Sequence, residues 1–317
     1  MKVLVIGEIM VDEYLHCKCK KLSPEAPVPC VEVREVVNQP GGAANVVNNL
    51  VAFSCGEVNI DVFSVCNFGT IRTLIENSQV ALFGKNSPSC LYRTRYVDIN
   101  SGMHMLRVDN DREIDDNFRI LGEGTEICEL LDRDYDCIII SDYNHGLVSE
   151  KLMKHVKELA KCPVLVDSRN PDLSRFVGVD ALFLNRQEAT AYVGQANKPT
   201  QTALKIMDEL GPGVFIHKLD KDGFVVFTKE KNSYVTAVAS GKVIDPTGAG
   251  DAMLAAYSIM EYHVKANKEN TLIAMAHVAG DVCTQKGTLP TSLTYEDFLD
   301  TKIDTYIASI KELDSKA

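Results

Sequence analysis

The stretch Asp-Pro-Thr-Gly-Ala-Gly-Asp at residues 245–251 leads directly into the alanine-rich run at residues 252–256. Its glycines permit a tight turn and the close approach of a ligand to the backbone. The alanine-rich run favours a helix, so a turn followed by a helix is predicted. Amides at a helix N-terminus, with the helix dipole behind them, form an anion site. We therefore expect the amides of Gly248, Ala249 and Gly250 to bind an anion.

Asp251 ends this turn and admits two interpretations. An isolated Asp in the first turn of a helix is commonly a capping carboxylate. A carboxylate beside an anion-binding turn is costly if anion binding is the only purpose of the turn. It is explained if the carboxylate takes a proton from a nucleophile that attacks a phosphate.

Short apolar runs alternate with amphipathic stretches along the chain, which predicts an α/β fold. This alternation indicates a mostly parallel sheet with helices on both faces. In such a sheet ligands bind beyond the carboxyl ends of the strands. The predicted strands are residues 3–6, 137–140, 164–166, 181–184 and 214–216, and the predicted helices include residues 149–161 and 200–210.

In two segments, residues 28–37 and 90–108, apolar and polar residues alternate, and no helical stretch lies within either segment. They predict a small antiparallel sheet inserted into the α/β body, with lid strands within about residues 13–38 and 88–110. A sheet above a strand-end crevice would serve as a lid or as a dimer contact. The alternative is a hairpin with no function, because loops vary freely.

The charge and the cysteine content exclude several classes of protein. With 33 Lys and Arg against 44 Asp and Glu in 317 residues, the net charge is −11. Nucleic acid and anionic membranes are therefore poor default partners, although a local basic site for a small anion stays open. No apolar run approaches the roughly 20 residues of a membrane span. Ten scattered cysteines without an export signal indicate reduced thiols in the cytoplasm, and Cys17-x-Cys19 is a weak zinc signal.

Two further segments carry residues suited to a polar ligand. The stretch Gly-Gly-Ala-Ala-Asn at residues 41–45 precedes an apolar helical run. Its paired glycines let the backbone approach a ligand, and Asn45 both donates and accepts hydrogen bonds. Asp12 follows the first predicted strand, where a carboxylate is a good acceptor for sugar hydroxyls. A structural turn and a solvated loop carboxylate are the respective alternatives.

In this order and spacing, these segments resemble the ribokinase-like, PfkB-type carbohydrate kinases. Residues 41–45 are similar to the first signature of that family. Residues 245–251 are similar to its second, Asp-Thr-x-Gly-Ala-Gly-Asp, with Pro246 in the second place. The resemblance runs from the first strand to about Thr288. It implies a single ribokinase-like domain over residues 1–317 that transfers phosphate from ATP with the help of Mg²⁺.

Within that family, the chain resembles the heptose 7-phosphate kinases, which serve the synthesis of ADP-heptose and lipopolysaccharide precursors. The shared stretches are residues 7–14, 22–29, 40–46 and 141–143, and Ser-Pro-Glu-Ala-Pro-Val-Pro at residues 23–29 is the most distinctive. This resemblance implies phosphorylation of the anomeric hydroxyl of a heptose 7-phosphate. The alternatives are a kinase of the same fold for ribose, fructose phosphate or a nucleoside, and a non-catalytic sugar- or nucleotide-binding protein.

The resemblance also implies roles for single residues on the sugar side. Asp251 would deprotonate the attacking hydroxyl, and the amides of residues 248–250 would stabilise charge on the phosphoryl group. The residues that would hold the sugar are Asp12, Gly41, Gly42, Asn45 and Asp142.

The nucleotide and Mg²⁺ would lie against further segments. Asn185 and Glu188 match the Asn-x-x-Glu pattern of the family, with Glu188 beside the metal. A helix cap formed by the same two residues is compatible with that role. Lys218 and Gly223 fall in the nucleotide loop, where Lys218 and Asp220 depart from a pattern of Thr or Ser and two glycines.

Two more residues are assigned by the resemblance, and two arginines are assigned by their spacing on a strand. His277 and Gly280 match the small-residue helix that lies against adenine, although a buried structural histidine is an equal alternative. Arg93 and Arg95 share one face of a predicted lid strand. Because Arg binds phosphate bidentately, we expect at least one of them to meet the 7-phosphate, unless they form a solvated strand face. The resemblance also implies a homodimer through the lid sheet.

Overall fold

The computed structural model describes residues 1–75, 77–88, 90–110, 124–194, 198–229, 233–235, 241–299 and 307–308. Residue 89, within the predicted lid segment 88–110, lies outside the described residues. In these ranges the chain forms a ten-stranded sheet with helices on both faces and a separate four-stranded sheet. The α/β fold class and the inserted lid sheet predicted from the sequence are confirmed.

The strands of the described ranges are β1 Lys2–Gly7, β2 Ile9–Leu22, β3 Pro29–Gly42, β4 Asn59–Cys66, β5 Val80–Asn86, β6 Leu91–Asp98, β7 His104–Asn110, β8 Cys137–Asp142, β9 Val164–Ser168, β10 Ala181–Asn185, β11 Val214–Lys218, β12 Phe224–Thr228, β13 Ser233–Val235 and β14 Ile307–Ala308. The α-helices are α1 Ala43–Phe53, α2 Phe68–Leu74, α3 Thr125–Leu131, α4 Glu150–Leu159, α5 Arg186–Val193, α6 Pro199–Leu210, α7 Ala249–Ser258 and α8 Lys268–Val282. Every strand of the α/β body and both helices predicted from the sequence are present.

The order of strands in the large sheet sets the place of a ligand site. The order is β14-β13-β12-β11-β10-β9-β8-β1-β4-β5. The pairings from β5 to β11 are parallel, and those from β11 to β14 are antiparallel. The winding of the chain reverses at β1, which lies between β4 and β8. Such a reversal opens a crevice at the carboxyl ends of the strands, where ligands bind in this class of fold.

The core lies on both faces of this sheet. Val3 and Val5 of β1 belong to the apolar cluster formed with α1, α7 and α8. Leu4 and Ile6 belong to the cluster on the opposite face, with α3, α4 and α6. Successive side chains of a strand point to opposite faces, so a strand buried on both faces must be apolar throughout. This explains the continuous apolar run at residues 3–6.

The helices differ in how their N-termini are capped. The Ser149 hydroxyl accepts a hydrogen bond from the Leu152 amide (3.1 Å) at the start of α4. The Asn267 side chain likewise accepts one from the Asn270 amide (2.9 Å) at the start of α8. Helix α7 begins after Gly248 with no side-chain cap. The first amides of α7 are therefore left to the backbone and to a ligand.

The lid sheet has the order β3-β2-β6-β7. Its β2–β3 and β6–β7 pairs are antiparallel, as predicted, but β2 and β6 run parallel. A parallel pair needs a long crossover, and β3, α1, β4, α2 and β5 provide it between these two strands. Strand β2 also begins at Ile9, so Asp12 lies buried in a lid strand, and the alternative of a solvated loop carboxylate is wrong.

Three further features concern the described part of the chain. None of its helices is long and apolar enough to cross a membrane. All ten cysteines are unpaired. Within the described ranges, no three His, Cys, Asp or Glu side chains come together as ligands for a metal ion.

Candidate active site

A cavity of about 1020 Å³ lies at the carboxyl ends of β8 to β11. The N-terminus of α7 and one face of the lid sheet complete its wall. Seven Lys or Arg and seven Asp or Glu residues line it, whereas the whole chain has a net charge of −11. Cationic side chains are thus concentrated here relative to the rest of the protein. This distribution suits the anionic ligand that the sequence left open.

The turn before α7 is held in place by Asp245. Its Oδ1 atom accepts hydrogen bonds from the Thr247 amide (3.0 Å) and the Thr247 hydroxyl (2.6 Å). Its Oδ2 atom accepts a hydrogen bond from the Gly287 amide (3.3 Å). The first carboxylate of the stretch 245–251 therefore fixes the turn, which leaves the second carboxylate for chemistry.

The amides at this turn are not equivalent. Gly248 has a φ of +87°, and a Cβ atom there would lie 2.6 Å from Nδ2 of Asn45, so only glycine fits. The Ala249 amide donates to the Pro246 carbonyl (3.3 Å). The sequence predicts that the amides of residues 248–250 all bind an anion. Because the Ala249 amide already has a backbone partner, that prediction rests mainly on the amides of Gly248 and Gly250.

Asp251 is buried in the first turn of α7, with 8% of its surface exposed. Its Oδ2 atom accepts a hydrogen bond from Nδ2 of Asn45 (2.7 Å), and the Tyr143 hydroxyl donates to its Oδ1 atom (3.1 Å). Burial raises the pKa of Asp251 to about 6, against the lowering effect of the Asn45 hydrogen bond. A carboxylate with this pKa is ionised at neutral pH and still accepts a proton readily, as a general base must.

The residues expected to hold a sugar fall into two groups. Asp12, Gly42 and Asp142 line the cavity. Gly41 lies outside the cavity lining and packs against the Asp12 carboxylate. Asn45 is also outside the lining, because its amide group is directed at Asp251. The structure thus places Asn45 against the candidate base, and its direct contact with a sugar stays a prediction.

Tyr143, the second hydrogen-bond donor to Asp251, is itself held firmly. Its backbone amide donates to Oε2 of Glu8 (2.8 Å), whose Oε1 atom accepts from the Leu147 amide (3.1 Å). Burial raises the pKa of Glu8 to about 8. The Arg169 guanidinium lies 4.0 Å from the centre of the Tyr143 ring, within the range of a cation–π contact. These contacts fix the phenol against the candidate base.

The inner face of the lid sheet carries the predicted arginines. Arg95 forms an ion pair with Asp12, and both side chains are buried. Arg107 lies directly opposite Arg95 on β7 and also lines the cavity. Like charges directly opposite each other destabilise a sheet. The carboxylates of Asp12 and Asp109 pair with Arg95 and Arg107 and offset this repulsion.

Arg93 occupies the next inward position of β6. It is 7% exposed, donates to Nε2 of His145 (3.0 Å) and lies 3.4 Å from the Asp109 carboxylate. Arg always donates, so Nε2 of His145 must accept in this contact. Both predicted arginines thus face the cavity, and the alternative of a solvated strand face is wrong for them.

Asn185 and Glu188 form a reciprocal cap at the start of α5. Oδ1 of Asn185 accepts from the Glu188 amide (2.8 Å), and Oε2 of Glu188 accepts from the Asn185 amide (2.6 Å). Both residues line the cavity beside the Lys218–Asp167 ion pair, whose Nζ–Oδ2 distance is 2.6 Å. Mg²⁺ in kinase sites is bound by one or two carboxylates together with phosphates and water. Glu188 fits an ion that arrives with the nucleotide.

The β11–β12 turn and α8 form the part of the cavity where the sequence predicts the nucleotide. Asp220 has a φ of +56° and Gly223 one of +94°. The left-handed region is more accessible to Asp than to most residues, so this departure from glycine keeps the backbone path. Gly280 lines the cavity, whereas His277 lies outside its lining and packs against Phe298 at 6.0 Å. The packing of His277 against Phe298 agrees with the structural alternative, and a contact with adenine stays a prediction.

The cavity lining also holds residues that were not assigned to the site from the sequence, among them Tyr143, Asp167, Arg169 and Arg107. Asp167 lies near the end of β9 and Arg169 directly follows it, at the edge of the sheet where ligand residues were expected, so a signal for them was present. Tyr143 follows β8 in the same manner. Arg107 lies in a strand whose register against β6 could not be read from its own residues.

Comparisons with known proteins agree with this geometry. The description "pfkB family carbohydrate kinase" matches residues 144–294. The bifunctional protein HldE of a Nitratiruptor species is 30% identical over 308 residues, covering 93% of this chain and 65% of that protein. The bifunctional protein HldE of Helicobacter hepaticus is 30% identical over 269 residues, covering 81% of this chain and 55% of that protein. The chain thus spans 55–65% of the length of these two relatives.

Solved structures show the same fold at low sequence identity. Ribokinase from Thermotoga maritima superposes with a TM-score of 0.71 at 19% identity, covering 94% of this chain and 99% of that one. Phosphofructokinase-2 from Escherichia coli in complex with potassium gives a TM-score of 0.71 at 18% identity, covering 93% and 96%. The ribokinase-like fold expected from the resemblance is confirmed.

The burial of Asp251 has a consequence for stability. Its pKa rises from 3.8 to about 6 on folding, so the ionised form destabilises the folded state above pH 6. We expect Asp251→Asn to raise the free energy of unfolding by about 1–3 kcal/mol at pH 8. The gain should shrink as the pH falls from 6 towards 4, because the folded carboxyl then takes up its proton. Urea unfolding at pH 8 and pH 5 measures both values.

The control for this experiment is Asp208→Asn, which replaces an exposed carboxylate on α6. Its stability should match that of the unmodified protein at both pH values. If Asp251→Asn is no more stable than this control at pH 8, Asp251 does not carry a costly buried charge.

Proposed function

The chain carries a pfkB-family carbohydrate kinase domain, and on this premise we propose that it transfers phosphate from ATP to the anomeric hydroxyl of a heptose 7-phosphate. The observation that carries the proposal is the buried Asp251 carboxylate at the uncapped N-terminus of α7, inside a cavity lined by lid arginines. The anomeric position and the heptose rest on the resemblance of residues 7–14, 22–29, 40–46 and 141–143 to heptose 7-phosphate kinases.

In the proposed reaction, Asp251 takes the proton of the attacking sugar hydroxyl. The hydroxyl oxygen forms a bond to the γ-phosphorus of ATP as the bond from that phosphorus to the ADP oxygen breaks. The amides of Gly248 and Gly250 point their positive dipole ends at the charge on the transferring group. Asn45 and Tyr143 hold the Asp251 carboxylate by hydrogen bonds, which aligns it before the reaction.

The phosphate of the substrate is assigned to the lid. Arg93, Arg95 and Arg107 line the cavity from the inner face of β6 and β7. Guanidinium groups match the geometry of phosphate oxygens. This cluster favours a phosphorylated sugar over ribose or a nucleoside, which have no phosphate for it to bind. Asp12 and Asp142 remain the candidate acceptors for sugar hydroxyls.

The nucleotide is assigned to the opposite side of the cavity. Its phosphates would lie between the α7 turn and the carboxyl ends of β10 and β11, with Gly223 and Gly280 giving room for the nucleoside. Mg²⁺ would be held by Glu188 and the phosphates, where it neutralises phosphate charge. The ten unpaired cysteines support our proposal that the protein works in the cytoplasm.

A homodimer is part of the proposal. Leu106 and Val108 of β7 and Val36 of β3 are about half exposed on the outer face of the lid sheet. Large exposed apolar patches mark interaction sites. Eight of the fourteen large apolar side chains that are exposed in the described residues belong to the lid or its turns. A second copy of the same face would cover them by a symmetric contact.

The direct test of the proposed function is ADP release from Mg²⁺-ATP with a panel of acceptors. The panel holds both anomers of D-glycero-D-manno-heptose 7-phosphate, fructose 6-phosphate, ribose and adenosine. We expect turnover with a heptose 7-phosphate and a loss of kcat of about 100-fold or more in Asp251→Asn, because a general base is removed. The affinity for ATP should change little in this variant, and Asp208→Asn serves as control.

Turnover confined to another acceptor would discard the heptose and keep the fold and Asp251. Binding of ATP and sugar without turnover in the unmodified protein would support the non-catalytic alternative. A near-normal kcat in Asp251→Asn would contradict the role of Asp251.

The assignment of the substrate phosphate is tested with Arg93→Ala. We expect the KM for heptose 7-phosphate to rise about tenfold or more, since a charged hydrogen bond to phosphate is lost. The KM for ATP should stay unchanged. The matched control is Arg34→Ala in the same sheet, because Arg34 is exposed, lies outside the cavity lining and pairs with Glu32. Equal steady-state constants for both variants would remove Arg93 from the site.

The dimer is tested by light scattering after size-exclusion chromatography. The unmodified protein should have twice the mass of the 34.9 kDa chain, and Leu106→Asp should reduce it to one chain. A buried charge at an apolar contact is costly. Leu204→Asp, at an exposed position on α6, should remain dimeric. A monomeric unmodified protein would overturn the dimer.

A further inference from the structure

Lys218 ends β11 at the floor of the cavity. Its Nζ atom lies 2.6 Å from Oδ2 of Asp167, and both side chains are about seven-eighths buried. A Cβ atom on Gly250 would lie 3.1 Å from this Nζ and 3.6 Å from the Asp167 oxygen. The ammonium group therefore lies against the backbone of the anion-binding turn. The absence of a side chain at Gly250 makes room for that approach.

The surroundings of Lys218 keep it charged. Burial lowers its pKa, but the carboxylates of Asp167 and Glu188 outweigh that effect, so the pKa lies above its ordinary value. An ammonium group has three hydrogen-bond donors, and the contact with Asp167 uses one of them. A charged group thus stands beside the turn with donors to spare for a ligand.

A purely structural ion pair is a weak explanation for this arrangement. Replacing a buried pair by apolar residues is often neutral or stabilising, so stability alone gives little reason to place Lys218 there. The pair also lines the cavity rather than the core. The position is the one where the resembled kinases carry Thr or Ser, so the charge is a particular feature of this chain.

We propose that Lys218 binds the phosphate chain of ATP at the 248–250 turn, exchanging its contact with Asp167 for phosphate oxygens when the nucleotide enters. This rests on the proposed function and adds a charged group to it. Lys218 approaches the transferring phosphoryl group from the strand side, while the amides of Gly248 and Gly250 approach from the helix side. Asp167 holds the ammonium in place until phosphate arrives and competes with the nucleotide for it.

The test compares three variants: Lys218→Met, Asp167→Asn, and the double variant Asp167→Asn/Lys218→Met. Calorimetry without sugar measures the affinities for ATP and AMP, and steady-state assays give kcat and the KM for the sugar. Circular dichroism checks that each variant is folded. Lys154→Met, at an exposed position on α4, is the control for loss of a lysine.

For Lys218→Met and the double variant, we expect ATP affinity and kcat to fall roughly 10- to 100-fold, the loss of one charged hydrogen-bonding group. The affinity for AMP and the KM for the sugar should stay within about twofold, because neither ligand meets Lys218. Asp167→Asn should bind ATP more tightly, since the competing carboxylate is gone.

Recovery of normal ATP affinity and kcat in the double variant would overturn the proposal, because Lys218 would then only neutralise Asp167. If the double variant does not fold, Asp167→Asn decides: weaker ATP binding overturns the proposal, and tighter binding supports it. The proposed function is refuted by a different result from the one that overturns the role of Lys218. An unmodified protein that binds ATP but phosphorylates no sugar refutes the heptose kinase and still leaves the effect of Lys218 on ATP affinity to be measured.

Discussion

The site is organised around a carboxylate that is buried where a helix begins. Water solvates an ionised carboxylate better than a buried site does, so burial raises the pKa of Asp251. The hydrogen bond from Asn45 of α1 lowers that pKa, and the Tyr143 hydroxyl, at the end of β8, holds the other carboxylate oxygen. That meeting depends on the position of β1 between β4 and β8, because α1 leads into β4 on one side of β1 and Tyr143 follows β8 on the other. The reversal in strand order is therefore what assembles the base.

The second constraint is charge. A chain with a net charge of −11 repels sugar phosphates and nucleotides unless it gathers its cations in one place. The lid sheet places three arginines on one side of the cavity, and β11 places Lys218 on the other. Each buried cation has a carboxylate partner, such as Asp12 for Arg95 and Asp167 for Lys218. These internal partners leave the folded site without a large unbalanced charge.

Local patterns in the sequence predicted much of this structure. They could not predict the contacts between residues that are far apart in the chain. The turn at 245–251, the helix after it and the apolar strands are set by neighbouring residues, so their positions could be predicted. The contact of Asn45 with Asp251 joins residues 206 positions apart, and that of Asp12 with Arg95 joins residues 83 apart. Such pairs appear only when the sheets are assembled. For the same reason the hydrogen bond between Asn45 and Asp251 could not be predicted, and β2 and β6 were expected to be antiparallel.

The central claim, that Asp251 is the base, is tested most directly by the pH dependence of kcat/KM for the sugar phosphate in the unmodified protein and in Asn45→Ala. Both should lose activity in acid, but the phosphate of the substrate also titrates near pH 6, so one profile alone does not identify the base. The Asn45 hydrogen bond lowers the pKa of Asp251. Its removal should therefore move the acid limb to higher pH. An acid limb at the same pH in both proteins would contradict the account.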